Sequence, residues 1–185
     1  MQVTTGKAKG HKLKAVPGDT TRPITDRVKQ ALFNILMDDI ADTAWLDLFG
    51  GTGAVGIEAL SRGAKHVTFV DREKLAVGII EDNLKTTGLM HNAKVVRQDA
   101  FAYLGGHPNT SYDFIYVAPP QYQHLWSKAL QKLDENTGWL NEHGEVIVQI
   151  DPSEYEALPL KHLQLKDERK YGKTVLLFFG RVSRG

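Results

Sequence analysis

A run of apolar residues, Trp45-Leu46-Asp47-Leu48-Phe49, ends in glycines at 50, 51, 53 and 56 and passes directly into the helix-forming stretch Ile57-Glu58-Ala59-Leu60. This order restricts the segment to a strand, a tight turn and a helix. Glycines serve where the backbone must turn sharply and approach a ligand, and the helix that follows points its unsatisfied N–H groups at that turn. The glycine spacing alone has little specificity. Val67-Thr68-Phe69-Val70 forms a second apolar run ending at Asp71, about 20 residues beyond the turn, where such a fold sets a carboxylate on a ribose. Together the two features point to an adenosine-containing cofactor; the alternative is a tight turn in an α/β domain that binds nothing.

The chain has 185 residues, of which 42% are hydrophobic, enough for one domain with its own core. It is read as a single domain, 1–185, with residues 1–22 as a basic extension and 23–185 as the core. No apolar run approaches the roughly 20 residues needed to cross a bilayer, and Met1-Gln2-Val3-Thr4-Thr5-Gly6-Lys7 lacks the apolar stretch of a signal peptide. A soluble cytoplasmic protein, monomeric and without membrane contact, is expected. Cysteine is absent, which excludes disulfides, thiolate catalysis and cysteine-based zinc sites. The 7 histidines are scattered without a pair spaced for one helix face, so no metal site is expected.

A formal net charge of +1 conceals an asymmetry. Lys7, Lys9, Lys12, Lys14, Arg22, Arg27 and Lys29 face only Asp19 and Asp26 within the first 29 residues, while the remainder is net acidic. Cations gathered at one end suit a polyanion, because neutralising phosphates releases condensed counterions. The alternative is a solvated lysine-rich tail. Gly6, Gly10, Pro17 and Gly18 punctuate short segments such as Lys12-Leu13-Lys14-Ala15-Val16, a pattern that favours a β-hairpin.

Thr25 or Asp26 is placed to cap a helix whose apolar residues Val28, Leu32, Phe33, Ile35 and Leu36 recur at helical spacing. Strands and helices then alternate: strands over 44–49, 66–70, 93–97, 112–117 and 144–150, helices over 54–62, 73–86, about 100–104 and 123–133. Such alternation implies a parallel sheet covered on both faces. Near the end, 160–170 and 174–182 are both strand-like and only Tyr171-Gly172-Lys173 separates them. A parallel pair needs a crossover of a dozen or more residues, so these two form an antiparallel hairpin. A nicotinamide-binding domain ordinarily continues with another parallel strand. A closing antiparallel strand instead resembles the S-adenosylmethionine-dependent methyltransferase class, and implies a Rossmann-like α/β fold with a seven-stranded mixed sheet, an antiparallel C-terminal hairpin and here an N-terminal β-hairpin.

Two blocks then carry a family resemblance: Thr21-Arg22-Pro23-Ile24-Thr25-Asp26-Arg27-Val28 with its continuation to Leu36, and Leu46-Asp47-Leu48-Phe49-Gly50-Gly51-Thr52-Gly53 with its continuation to Ala64. They look like the RsmD-type bacterial methyltransferases, which modify the exocyclic N2 amine of a guanine in small-subunit ribosomal RNA. Asn83-Leu84, Asp99-Ala100 and the closing Lys170–Phe178 stretch extend the likeness over nearly the whole chain. The resemblance implies S-adenosylmethionine as cofactor. Asp47, Phe49, Gly50, Gly51, Thr52 and Gly53 then line its methionine and ribose end, Asp71 with its neighbour Arg72 meets the ribose, and Asp99 with Ala100 meets the adenine. An ionised carboxylate is a strong acceptor for a diol or an amino group. Asp71 and Asp99 are equally suited to capping the elements that follow them. Thr25 and Arg27 fall in the first block, which sets them beside the substrate together with Lys7, Lys9, Lys12 and Arg22; for Thr25 the other role is simply to start a helix.

One position departs from the family. After the fourth strand the resembled proteins carry Asp-Pro-Pro followed directly by an aromatic residue, whereas this chain reads Val117-Ala118-Pro119-Pro120-Gln121-Tyr122. In amino-methyltransferases of that kind the acidic side chain and a neighbouring carbonyl accept from the target amine and the ring stacks on a flipped base. Ala118 offers only its backbone carbonyl, as does Pro119, and Gln121 is a substitute acceptor if the loop takes another path. Tyr122 stands one residue later than the usual aromatic. Two further readings follow: a non-catalytic cofactor- and RNA-binding ribosome-assembly factor, favoured by Ala118, and a nicotinamide-dependent oxidoreductase, disfavoured by the C-terminal hairpin.

Overall fold

Strands with apolar residues on both faces must be covered on both sides, and four strands here are of that kind. They are β1 (Ala44–Asp47), β2 (His66–Asp71), β4 (Tyr112–Val117) and the inner half of β5 (Leu140–Ile150), buried along most of their length. The structure, a computed structural model, describes residues 1–18 and 23–183. Its sheet has seven strands in the order β3-β2-β1-β4-β5-β7-β6, with β3 spanning Ala93–Arg97, β6 Leu163–Tyr171 and β7 Thr174–Arg181. The first five pair in parallel, and β7 runs antiparallel between β5 and β6. A two-residue turn, Gly172-Lys173, closes the β6–β7 hairpin.

Side-chain alternation divides the core into two layers. Trp45, Phe69, Phe114, Tyr116, Ile147 and Phe178 face α1 (Asp26–Leu36), α2 (Ala54–Ser61) and α3 (Lys74–Thr87). Leu46, Leu48, Ile115, Val117, Val146 and Leu177 face α4 (Ala100–Leu104) and α5 (Leu125–Glu135). Helix α2 lies so close to the sheet that a Cβ at Gly56 would sit 2.3 Å from Phe69 Cε1. Strand order reverses at β1, between β2 and β4, so a crevice opens beyond the C-terminal ends of these strands.

The expected elements appear with shifted ends. Helix α1 is capped by Thr25, whose Oγ1 accepts from Val28 N at 3.2 Å. Helix α5 starts at Leu125 rather than 123, because Tyr122 (φ 62) and His124 (φ 54) are left-handed and cannot belong to its first turn. Strand β5 begins at Leu140 and reaches its regular register with β4 only after a bulge between Tyr112 and Phe114.

The N-terminal segment folds back antiparallel, yet only one bridge forms, Gln2 with Lys12. Val3 N, Gly10 N and Leu13 N donate between the two limbs, to His11 O, Val3 O and Met1 O at 2.9, 2.8 and 3.0 Å, and four other backbone donors go to α2. Thr4 N and Thr5 N donate to Glu58 at 2.9 and 3.2 Å, Lys7 N to Ser61 O at 2.9 Å, and Ala8 N to Ser61 Oγ at 2.9 Å. Val3, Ala8 and Leu13 are buried in the α1–α3 layer. The extension thus folds back as the expected hairpin does, but irregularly, with a single bridge among the described residues and its outer donors docked on the core.

Candidate active site

The glycine turn hangs between two strand ends. Gly50 N donates to Val70 O at 2.9 Å and Gly53 N to Gly50 O at 2.8 Å, while Gly51 (φ 57) and Gly53 (φ 80) take the left-handed conformation that glycine adopts without strain. Gly53 then caps α2. Asp71, at the end of β2, braces the turn: its Oδ2 accepts from Gly51 N at 3.0 Å and its Oδ1 from Glu73 N at 2.9 Å. Each oxygen keeps acceptor capacity after one bond. Asp99 uses only Oδ2, which accepts from Phe101 N and Ala102 N at 3.0 Å and so caps α4. Asp99 therefore caps the helix that follows it, whereas α3, which follows Glu73, has no side-chain cap and Asp71 braces the turn instead; both carboxylates border the same space.

That space is a cavity of about 500 Å³ lined by Phe49, Gly51, Asp71, Arg72, Asp99 and Ala100 together with Phe101, Leu75 and Pro120, a size usual for small-molecule sites. Val16, Pro17 and Gly18 supply a further wall, which sequence reasoning did not anticipate. They are carried there by Asn83, whose Oδ1 accepts from Lys14 N at 2.8 Å and whose Nδ2 donates to Lys14 O and to Thr52 O at 3.1 and 2.9 Å. One buried carboxamide thus ties the N-terminal segment to the glycine turn. Arg72 is exposed and paired with Glu73 at 3.0 Å.

A smaller cavity of about 50 Å³ shares Phe49 and Gly51 with the first and is lined also by Asp47, Gly50, Thr52, Tyr116, Ala118 and Gln149. Asp47 is only 2% exposed. Its Oδ2 accepts from Gly56 N at 3.3 Å, and its Oδ1 has no partner among the described residues. Burial pushes its carboxyl up to about 8, opposed by the Gly56 N–H and reinforced by the negative charge of Asp71. Burial also holds the Tyr116 hydroxyl well above its usual range, with the nearby Asp47 adding to the effect. Tyr116 donates to Gln149 Oε1 in a short hydrogen bond.

The loop after β4 divides its residues. Pro120 and Gln123 face the large cavity, whereas Ala118, Pro119 and Gln121 line a recess beside Gln149. Tyr122 turns outward: it is 64% exposed, its N–H donates to Glu154 Oε1 at 2.7 Å and its hydroxyl to Asp151 Oδ2 at 3.2 Å. Asp151 and Glu154 form a capping box on the turn after β5, so the loop is clipped to that turn.

Of the expected substrate contacts, Lys7, Lys9, Lys12, Thr25 and Arg27 lie on the surface, and Arg22 falls outside the described residues. Lys29, counted among the N-terminal cations, is fully buried; its Nζ lies 3.4 Å from Glu58 and 3.5 Å from Asp26, and donates to Gln2 O at 2.7 Å. It serves cohesion rather than a polyanion.

The family described as "Conserved hypothetical protein 95" matches residues 1–180. "Putative rRNA methyltransferase YlbH" of Bacillus subtilis is 38% identical over 176 residues, covering 94% of this chain and 95% of its own. "Ribosomal RNA small subunit methyltransferase D" of Haemophilus influenzae is 32% identical over 170 residues, covering 91% and 88%. This chain belongs to that family, the RsmD-like methyltransferases. Among solved structures, the "Putative methyltransferase yhhF" of Escherichia coli superposes with a TM-score of 0.87 at 30% identity, over 98% of this chain and 97% of the other. The seven-stranded mixed sheet is accordingly that of the S-adenosylmethionine-dependent methyltransferases, and no helix among the described residues is long and apolar enough to cross a membrane.

Proposed function

We propose that this RsmD-like protein methylates the exocyclic N2 amine of a guanine in small-subunit ribosomal RNA in the cytoplasm, with S-adenosylmethionine as methyl donor. One observation supports the reading above others: the cavity flanked by the Asp71 and Asp99 carboxylates shares Phe49 and Gly51 with the space beside Ala118 at the end of β4, so the two adjoin. A ligand lying along the first reaches the second with its other end. The donor set fits the cofactor. Asp71 has acceptor capacity for a ribose diol, the Oδ1 of Asp99 is uncommitted among the described residues, and the orphaned Oδ1 of buried Asp47 suits a hydrogen-bond donor or cation at the methionine end.

When bound, the cofactor supplies a methyl group on a sulfonium centre. Phe49 and Phe101, edge to face at 6.1 Å, give the large cavity an apolar wall that keeps water from that centre. The carbonyl oxygens of Ala118 and Pro119 accept from the amine and turn its lone pair toward the methyl carbon, and the paired Pro119-Pro120 fixes the direction in which they point. On transfer the bond from the methyl carbon to the sulfonium sulfur would break, S-adenosylhomocysteine would leave, and the alkylated nitrogen would give its surplus proton to water. Lys7, Lys9, Lys12 and Arg27 contribute surface charge for RNA phosphates.

A second reading, a non-catalytic cofactor- and RNA-binding assembly factor, is favoured by the lack of a side-chain acceptor at Ala118. Ligand linkage tests the cofactor half of both: S-adenosylmethionine or S-adenosylhomocysteine at 100 times Kd should stabilise the fold by about 2.7 kcal/mol, and NAD should not. A melting temperature raised by NAD alone would overturn the cofactor assignment; methyl transfer separates the two readings.

A further inference from the structure

Three neighbouring strands end in polar side chains that meet on one face of the sheet. Asp47 of β1 pairs in register with Tyr116 of β4, and Val117 pairs with Val148 of β5, which sets Gln149 beside Ala118. The Tyr116 hydroxyl bonds to the Gln149 carboxamide, and this is the only side-chain hydrogen bond that Gln149 makes among the described residues. The other end of the carboxamide is unused. Yet Gln149 is only 8% exposed, and it lines both the cavity shared with Asp47 and Tyr116 and the recess formed by Ala118, Pro119 and Gln121. The amide nitrogen is not among the buried atoms left without a partner, so it opens onto these spaces and is available to a ligand there.

We infer that Gln149 reads the edge of a base presented at the mouth of this recess, supplying from β5 the side-chain contact that Ala118 cannot supply from β4. The inference rests on the proposed methyltransferase reading and names a residue of its substrate site. A carboxamide presents an acceptor and a donor in one plane, as a nucleobase edge does, which makes the two complementary. The Tyr116 hydroxyl both donates and accepts, so a half-turn of the carboxamide brings its oxygen to the recess for an exocyclic amine or its NH2 for a ring carbonyl.

The test is single-turnover methyl transfer to unmodified small-subunit ribosomal RNA, with cofactor affinity measured in parallel. Gln149→Leu alone would strand the Tyr116 hydroxyl, so the informative comparison is Tyr116→Phe/Gln149→Leu against Tyr116→Phe. The double variant should be slower by on the order of 10²-fold, a loss typical of misplaced reactants, with S-adenosylmethionine affinity unchanged. In an Ala118→Asp background the same replacement should lose no more than about 5-fold, because two groups that serve one contact are not additive. Equal rates for the double variant and Tyr116→Phe overturn the assignment while leaving the methyltransferase reading intact, and so does a rate loss matched by an equal loss of cofactor affinity. An undiminished loss with Asp at 118 overturns the shared role. A wild-type protein that transfers no methyl group overturns both.

Discussion

Replacing Asp47 with Asn should remove a slope from the dependence of stability on pH. Asp47 is buried, among the described residues one oxygen accepts only from Gly56 N and the other from nothing, and its carboxyl is lifted from 3.8 to about 8. The folded state thus holds the proton more tightly than the unfolded chain does. Between about pH 4 and pH 8 the folded state binds more protons, so the contribution of this group is fully present below the unfolded value and is lost as pH rises through the folded one. At 1.36 kcal/mol per pH unit the whole loss has a ceiling of roughly 6 kcal/mol, and the part falling between pH 5 and pH 8 a ceiling of roughly 4 kcal/mol. Asn keeps the shape and an acceptor for Gly56 but has no charge to bury. Urea unfolding at constant ionic strength, repeated across this range, should show the wild type losing stability relative to Asp47→Asn by up to that amount, with the curves parallel above about pH 8. Parallel curves throughout would mean that Asp47 titrates normally and that its burial carries no electrostatic penalty.

Asp71→Ala should weaken S-adenosylmethionine binding by roughly 1.5–3 kcal/mol, the worth of a charge-assisted hydrogen bond; unchanged affinity in a calorimeter would confine Asp71 to bracing Gly51 and Glu73. Deleting the N-terminal segment would strip Val3, Ala8 and Leu13 from the core, so the cleaner probe of RNA contact is Lys7→Gln/Lys9→Gln/Lys12→Gln. It should lower RNA affinity and flatten log Kd against log salt by about 2, since each lost phosphate contact on single-stranded nucleic acid removes about 0.7; an identical slope would make these lysines plain solvated surface. Glu58→Ala leaves Lys29 buried without its main partner and should destabilise the fold by about 3–5 kcal/mol in urea, whereas a loss below about 1 kcal/mol would show that Asp26 suffices.

Much of the fold was legible because each apolar run is bounded by turn residues, and the short link between β6 and β7 left only an antiparallel pairing. The start of β5 was not, since Asn141, Glu142 and His143 pass through a bulge and carry no alternation. Nor was the exact shape of the N-terminal segment: its glycines signal a hairpin and Val3, Gly10 and Leu13 do donate between its limbs, but Thr4, Thr5, Lys7 and Ala8 donate to Glu58 and Ser61 on α2 and the ladder stays short. In the site, Asp71 stands out because it ends β2 at the spacing of a nucleotide fold, and Asp99, two residues past the end of β3, through the family resemblance. Gln149 gave no such signal, because its meaning comes from strand register with Ala118, at the far end of a connection that includes α5. The Gln149–Tyr116 bond spans 33 residues, a separation at which local sequence patterns carry no information.

The central claim is tested most directly by transfer of tritiated methyl groups from S-adenosylmethionine to small subunits and to naked small-subunit ribosomal RNA lacking the modification, followed by digestion and nucleoside analysis. The account predicts label in N2-methylguanosine from at least one of the two substrates. Label in another nucleoside, or none from either substrate with cofactor shown to be bound, would contradict it.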